Sequence, residues 1–408
     1  MSYEFLNADT IADYIRADAR LAEQVDADAI TEVKEVGDGN LNLVFIVHDA
    51  HGGGIVLKQA LPYVRLVGPD WPMTPDRARH EAEALQFHGR LVPALVPEVY
   101  RYDADRHIIA MEDLSDHRVW RGALNDGLRH EGVAALMGEY VAAVAFGTSI
   151  LGVDPEEQKM IAARSANPEL CTITEDLVFT EPYVDSGRNS FLAANAVDAA
   201  ELAADDVIVR EMGHAKWAFM THAEALIHAD LHTGSVMVRA ASGEDGPVDS
   251  AKAFDSEFAF YGPLAFDLGA LWANYTIAAA RATALGEDDR ADWCLSLCDQ
   301  TWTAFEGTFR AAWPARRDPR VFTDGFGDDL LARWQSETWL FAAAKMARRI
   351  VGLAKTKDIE SLPEDLREGA ARGVLQTARA AVRQRHEGTG SADYMTMASQ
   401  ILRATATR

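Results

Sequence analysis

TEVKEVGDGNLNLVFIVHDAHGGGIVLKQA, residues 31–60, is the stretch whose reading decides the fold. Residues 31–36 read as a strand, then comes GDGNLN, then a second strand over 44–48. AHGGG at 50–54 is a turn signal, and a third strand follows over 55–60. Short strands joined by tight turns make an antiparallel meander. Downstream, the Gly-Pro-Asp-Trp-Pro of GPDWPMTPDRARHEAEALQFH, residues 68–88, cannot hold regular structure. From Asp76 the Arg, Glu, Ala and Leu content favours a helix. Residues 98–102 and 107–111 read as two more strands, parted by the turn DADR.

Beyond about Asp113 the pattern turns helical. Helices are expected over 132–151, 199–226, 266–285, 293–313 and 330–355, with a last pair near 363–384 and 391–403. This region is interrupted at 228–240 and 248–262. Strands first and helices afterwards specify an α+β fold in two lobes. The expected division is 1–113 for a small sheet lobe and 114–408 for a helical lobe, joined near MEDL at 111–114. A cleft between lobes is a common place for a small-molecule site.

The 408 residues carry a formal charge of −24, which argues against nucleic acid or anionic membranes as partners. An anionic ligand then needs a local cationic site. No stretch approaches the ~18 uncharged apolar residues of a membrane span. Glu4, Asp9 and Asp13 argue against a secretory leader. Cys171, Cys294 and Cys298 make a poor disulfide framework, and the i, i+4 pair reads as two buried thiols on one helix face. The cytoplasm is the expected compartment.

Four features carry chemistry, in order along the chain. VGDGNLNLVF at 36–45 sits on the first hairpin, where Gly37 and Gly39 let the backbone approach a phosphate. Lys58 lies in the apolar third strand, and Glu81 on the following helix is the expected partner that holds it against nucleotide phosphates. HAD at 228–230 offers Asp230 to accept a hydrogen bond from an attacking hydroxyl. FDSEF at 254–258 places Asp255 and Glu257 at strand i, i+2 spacing, hard oxygen ligands suited to Mg²⁺. Each feature alone has an ordinary structural explanation. In this order they describe a two-lobed ATP-dependent kinase.

At these residues the chain resembles the methylthioribose kinases, within the aminoglycoside-phosphotransferase-like group of protein-kinase-like fold. The resemblance covers nearly the whole chain, through DGNLN at 38–42, KQA at 58–60, GPDWPMTPDRAR at 68–79, MEDLS at 111–115, NPELC at 167–171, DLHTGS at 230–235, EFAFYGP at 257–263 and RRIVGLA at 348–354. Most of the group has Asn five residues after the catalytic Asp, whereas Ser235 stands here, as in the methylthioribose kinases. The resemblance implies that Asp230 orients the 1-hydroxyl of 5-methylthioribose and that Asp255 and Glu257 hold Mg²⁺, with Ser256 between them in the nucleotide site. It implies that Lys58 and Asn42 contact ATP phosphates, and that the backbone of Glu112, Asp113 and Leu114 binds adenine. Arg348 and Arg349 would reach the sugar or the transferring phosphate. Adjacent helical residues are ~100° apart, so one Arg is expected to enter the cleft and the other to flank it. Methionine salvage and a homodimer are further implications.

Two positions depart from the family motif: Ala229 stands in HGD, and Ser256 in DPE. Both changes leave the reacting groups in place. Ala229 costs ~1 kcal/mol if the backbone there has positive φ. Other readings are a kinase of the same group acting on an aminoglycoside, choline or homoserine, and a non-catalytic nucleotide-binding protein of kinase fold. A double Arg would repel a polycationic aminoglycoside.

Overall fold

The computed structural model describes residues 3–37, 41–63, 68, 70–184, 186–387 and 390–406. The small lobe opens with α1 (Ala8–Arg16) and α2 (Ala19–Ala22), which are additions to the expected set. Asn7 caps α1, accepting from the Asp9 and Thr10 amides. The sheet then runs through β1 (Ile30–Glu35), β2 (Asn42–Asp49), β3 (Gly54–Ala60), β4 (Val99–Asp103) and β5 (Ile108–Met111), with α3 (Arg77–Leu91) inserted before β4. Its order is β1-β2-β3-β5-β4, and every neighbouring pair is antiparallel. The expected strands are therefore present. The hairpin tip at 38–40, which contains Gly39, lies outside the described residues.

Central β3 buries both faces, and its two-residue period sorts them. Ile55 and Leu57 join Ile11, Ile15 and Leu21 in one apolar layer beneath α1 and α2. Ala60 and the partly buried Val56 face Ala78 and Ala82 of α3. Lys58 shares the face of Val56 and Ala60, so β3 itself directs its amine toward α3.

The helical lobe contains α4 (Trp120–Asn125), α5 (Val133–Thr148), α6 (Pro155–Arg164), α7 (Pro168–Phe179), α8 (Ala196–Ala203) and α9 (Asp206–Thr221). It continues through α10 (Ala265–Ala284), α11 (Asp288–Ala312), α12 (Asp324–Val351), α13 (Lys357–Glu360), α14 (Glu364–Gln384) and α15 (Ser391–Thr405). Short strands occupy the interruptions read from the sequence. β6 (Arg118–Val119), β9 (Val236–Ala240), β10 (Gly246–Ala253) and β7 (His130–Glu131) form one sheet, and β8 (Ala225–Ile227) pairs with β11 (Phe260–Gly262). The single helix expected over 199–226 is instead α8, α9 and β8. Asp205 makes the break. Its carboxylate accepts from the Ile208 amide and also pairs with Arg379 and Arg383 of α14, so tertiary charge pairing favours a new helix start there.

α10 is the axis of this lobe: along its length, only Arg281 is not buried. It packs against α12 so closely that a Cβ on Gly269 would stand 2.6 Å from the Phe341 Cβ and 2.8 Å from the Ala342 amide nitrogen. α12 carries Arg348 and Arg349, so this contact fixes their position relative to α10. Gly269→Ala should therefore destabilise the chain by about 1–3 kcal/mol and lower turnover. Gly307→Ala in α11, where an added Cβ meets nothing within 4 Å, should leave stability equal or higher. Urea unfolding of the two variants checks the contrast, and equal stabilities would refute the close-packing account.

Candidate active site

Lys58 Nζ lies 2.8 Å from Glu81 Oε1 and also contacts the Asp255 carboxylate. Burial opposes the charge on this lysine, but Asp255, Glu81 and Glu257 outweigh it and raise its pKa. Burial pushes the Glu81 carboxyl up to about 7, against the pull of Lys58. The pairing expected between strand and helix is thus formed, and it extends across the cleft to the DSE loop.

That loop is held from both lobes. Glu257 is 4% exposed, accepts from Asn42 Nδ2 at 3.0 Å and lies 3.3 Å from Arg77 Nε. Asn167, at the start of α7, donates to the backbone carbonyls of Glu257 and Ala259. Asp255 adopts φ 65°, a left-handed conformation that Asp tolerates better than most residues. Its side chain is 43% exposed and faces the cleft. Ser256 is fully buried with its hydroxyl unpartnered. Carboxylate oxygens of Glu81, Asp255 and Glu257 come within 4.8 Å of one another. Burial raises the Glu257 carboxyl, and Asp255 adds to the effect. Three clustered carboxylates against Lys58 and Arg77 leave surplus negative charge, and hard oxygens of this kind suit a divalent cation such as Mg²⁺.

Asp230 lies within electrostatic range of Asp255. Its loop is anchored by Asp267 of α10, which accepts from the His228 amide at 2.8 Å and the Ala229 amide at 2.9 Å. His228 Nε2 donates to the Phe254 carbonyl at 2.9 Å, which ties the HAD loop to the strand leading into DSE. His232 Nδ1 accepts from the Gly234 amide, so its Nε2 carries the proton and faces Asp230 Oδ2 at 3.4 Å. Burial lowers the His232 pKa to about 4, keeping the ring neutral. Ser235 is buried, with its hydroxyl 3.2 Å from His232 Nδ1.

The floor beneath Asp230 is cationic. Lys345 Nζ lies 3.0 Å from Asp230 Oδ1, and Arg348 and Arg349 follow on the same helix. Burial opposes the Asp230 charge, yet Lys345, His232 and Arg348 together hold its carboxyl well below the usual range. Burial also lowers Arg348 and Arg349, and Asp230 counteracts that in both. Both guanidinium groups therefore sense the same carboxylate, despite the angle between their Cα positions. Arg348 Nε is buried without a hydrogen-bond partner, whereas Arg349 Nη1 reaches the Lys355 carbonyl at 3.4 Å. Arg121 of α4 joins them electrostatically and is tied to Asn274 of α10 at 2.8 Å.

At the connection between lobes, the Glu112 amide donates to the Glu98 carbonyl, and the Glu112 carboxylate binds Lys252 at 2.9 Å. Asp113 accepts from His48 Nε2 at 2.7 Å, and Leu114 is 7% exposed.

The phosphotransferase enzyme family (APH) matches residues 32–307. Methylthioribose kinase of Pectobacterium atrosepticum is 38% identical over 93% of this chain and 94% of its own. Methylthioribose kinase of Yersinia pseudotuberculosis is 36% identical over 91% of each chain. The chain belongs to the phosphotransferase enzyme family, in its methylthioribose kinase branch. A choline/ethanolamine kinase family protein from Mesorhizobium loti is a solved structure similar over 97% of this chain and 99% of its own, at 14% identity and TM-score 0.45.

In this kinase direct contacts join Asn42 to Glu257 and Lys58 to Asp255, and charge coupling links Asp230 to Asp255, Arg348 and Arg349, whereas Glu112 and Asp113 bind Lys252 and His48. Sequence reasoning missed Lys345, Arg77, Arg121 and Asp267. Lys345 had a signal: a lysine inside an apolar helical stretch of a chain rich in Arg. Arg77 is fully buried and donates to the Leu41, Leu61 and Thr74 carbonyls, contacts that no local pattern announces.

Ala229 has φ 65°, so the departure from Gly does place an alanine in the left-handed region. The strain is ~1–2 kcal/mol, while Gly in its place loses ~0.5–1 kcal/mol through unfolded-state entropy. Ala229→Gly should therefore stabilise the chain by about 0.5–1 kcal/mol without lowering turnover. A denaturation midpoint that falls instead would show that the loop has relaxed around alanine at no cost.

Proposed function

We propose that this kinase transfers the γ-phosphoryl group of ATP to the 1-hydroxyl of 5-methylthioribose, the sugar that its relatives' name carries. One observation carries the reading: an ionised Asp230 beside Lys345, Arg348 and Arg349, within electrostatic range of Asp255, which itself lies on Lys58. An alcohol placed on Asp230 meets a carboxylate that accepts its hydrogen bond and orients the oxygen. The alcohol oxygen forms a bond to γ-phosphorus, the bond to the ADP oxygen breaks, and the hydroxyl proton passes to Asp230.

Lys58, fixed by Glu81, and Asn42 bind the nucleotide phosphates. Asp255 and Glu257 would hold Mg²⁺, which supplies charge neutralisation for the phosphates when bound. Lys58 lies on Asp255, so nucleotide and cation binding would divide this pair between new partners. The Glu112 amide and the Leu114 carbonyl are engaged within the protein. Adenine would then use the Glu112 carbonyl and the Leu114 amide. Arg348 and Arg349 present N–H donors where charge spreads over the transferring phosphoryl oxygens. The expected setting is methionine salvage in the cytoplasm, with the kinase as a homodimer.

ADP release measured against methylthioribose, other sugars and amino alcohols tests the substrate. Turnover confined to another alcohol refutes the sugar assignment, and ATP binding with no turnover refutes catalysis. With the preferred substrate, Asp230→Asn should keep ATP binding and lower kcat by ~10²–10⁴. Wild-type turnover in that variant would remove Asp230 from the mechanism.

Arg348→Lys and Arg349→Lys keep charge but lose the planar fork. At least one should lose ~10-fold or more in kcat/KM for methylthioribose, equivalent to ~1.4 kcal/mol, with little change in the Kd for ATP. If both match the wild type, the double Arg is structural.

A further inference from the structure

Lys345 is a buried cation in an unusual position. Its residue is 5% exposed, and its ammonium lies 4.4 Å from the centre of the Phe266 ring. A surface lysine has water as an alternative partner, but this one has almost none. Its hydrogen-bond partner is Asp230 Oδ1 at 3.0 Å. Asp267 also lies within electrostatic range of Lys345, but it accepts both backbone amides of the HAD loop. Arg348 and Arg349 share the helix and repel the Lys345 charge.

The Asp230 side chain is 23% exposed, so it opens to the cleft while Lys345 lies beneath it. Its Oδ2 faces His232 Nε2 at 3.4 Å. Lys345 and His232 thus grip the two carboxylate oxygens from different elements, α12 and the loop. A carboxylate free to rotate about χ2 spreads its lone pairs over many directions, whereas one gripped on both oxygens aims one lone pair at a fixed point.

We propose that Lys345 is a positioning residue that acts through Asp230, fixing the orientation of its carboxylate toward the acceptor hydroxyl. This rests on the reading of Asp230 as the group that orients the alcohol. The role differs from that of a direct phosphate ligand, which would help whatever residue stands at 230. It differs also from a purely structural contact, whose loss would lower stability without depending on the charge at 230.

The test is a double-mutant cycle on the full-length chain: wild type, Lys345→Met, Asp230→Asn and the double variant. Each is assayed for kcat and KM with MgATP and whichever alcohol the wild type phosphorylates, so losing the methylthioribose assignment leaves the cycle intact. Lys345→Met should lower kcat ~30-fold or more while both KM values stay within ~3-fold. In the Asp230→Asn background the same change should cost less than ~3-fold. Equal fold-losses in both backgrounds overturn the proposal, as does unchanged kcat in Lys345→Met. Thermal melting confirms folding of each protein, and Lys345→Gln replaces Lys345→Met if the latter does not fold. A wild-type Asp230→Asn rate would overturn the parent reading and this one together. Additivity between two damaging changes would overturn this one alone.

Discussion

The architecture depends on how buried like charges are kept in one cleft. Glu81, Glu257 and Asp267 are buried carboxylates, and Asp230 and Asp255 face them or the space between the lobes. An isolated buried charge costs several kcal/mol, so each must be offset locally. Lys58 and Arg77 offset the group beside the small lobe, and Lys345 with the α12 arginines offsets Asp230. Two backbone amides satisfy Asp267. Net charge over the whole chain says nothing of this: a strongly acidic protein still sets Lys58, Arg77, Lys345 and Arg348 against these carboxylates.

The same offsets assemble the lobes. Lys58 and Asn42 belong to the small sheet, whereas Asp255 and Glu257 belong to the loop beyond β10. Contacts across the cleft therefore make each lobe a partner in the other's polar satisfaction. The HAD and DSE loops are linked by the bond from His228 to the Phe254 carbonyl, and both contain a left-handed residue, Ala229 and Asp255. A tight reversal at each puts side chains into the cleft rather than along a strand.

Much of this was legible because its signals are local. Alternating apolar residues and Gly-rich turns define β2 and β3, and the period of β3 places Lys58 on the face toward α3. Helix-forming composition marks α10, α14 and α15 closely, whereas α11 and α12 begin five and six residues before their expected starts at 293 and 330. The motif residues Asp230, Asp255 and Glu257 are short-range patterns too. What failed was also physical. Residues 199–226 have helical composition throughout, but the chain breaks at Asp205 because arginines of α14 meet its carboxylate.

The sequence by itself determined the order of the chemistry-bearing residues and the two-lobed class, which follow from composition, period and motif, and its resemblance to known kinases gave the family. Tertiary structure alone decided which cations serve which carboxylates. Lys345 is 115 positions from Asp230 and Arg77 is 180 from Glu257, counting 345 − 230 and 257 − 77. No helical or strand period relates residues so far apart. Their meeting is set by α12 packing on α10 and by the loop beyond β10 meeting β2 and α3 of the small lobe, and burial then turns proximity into strong electrostatic coupling.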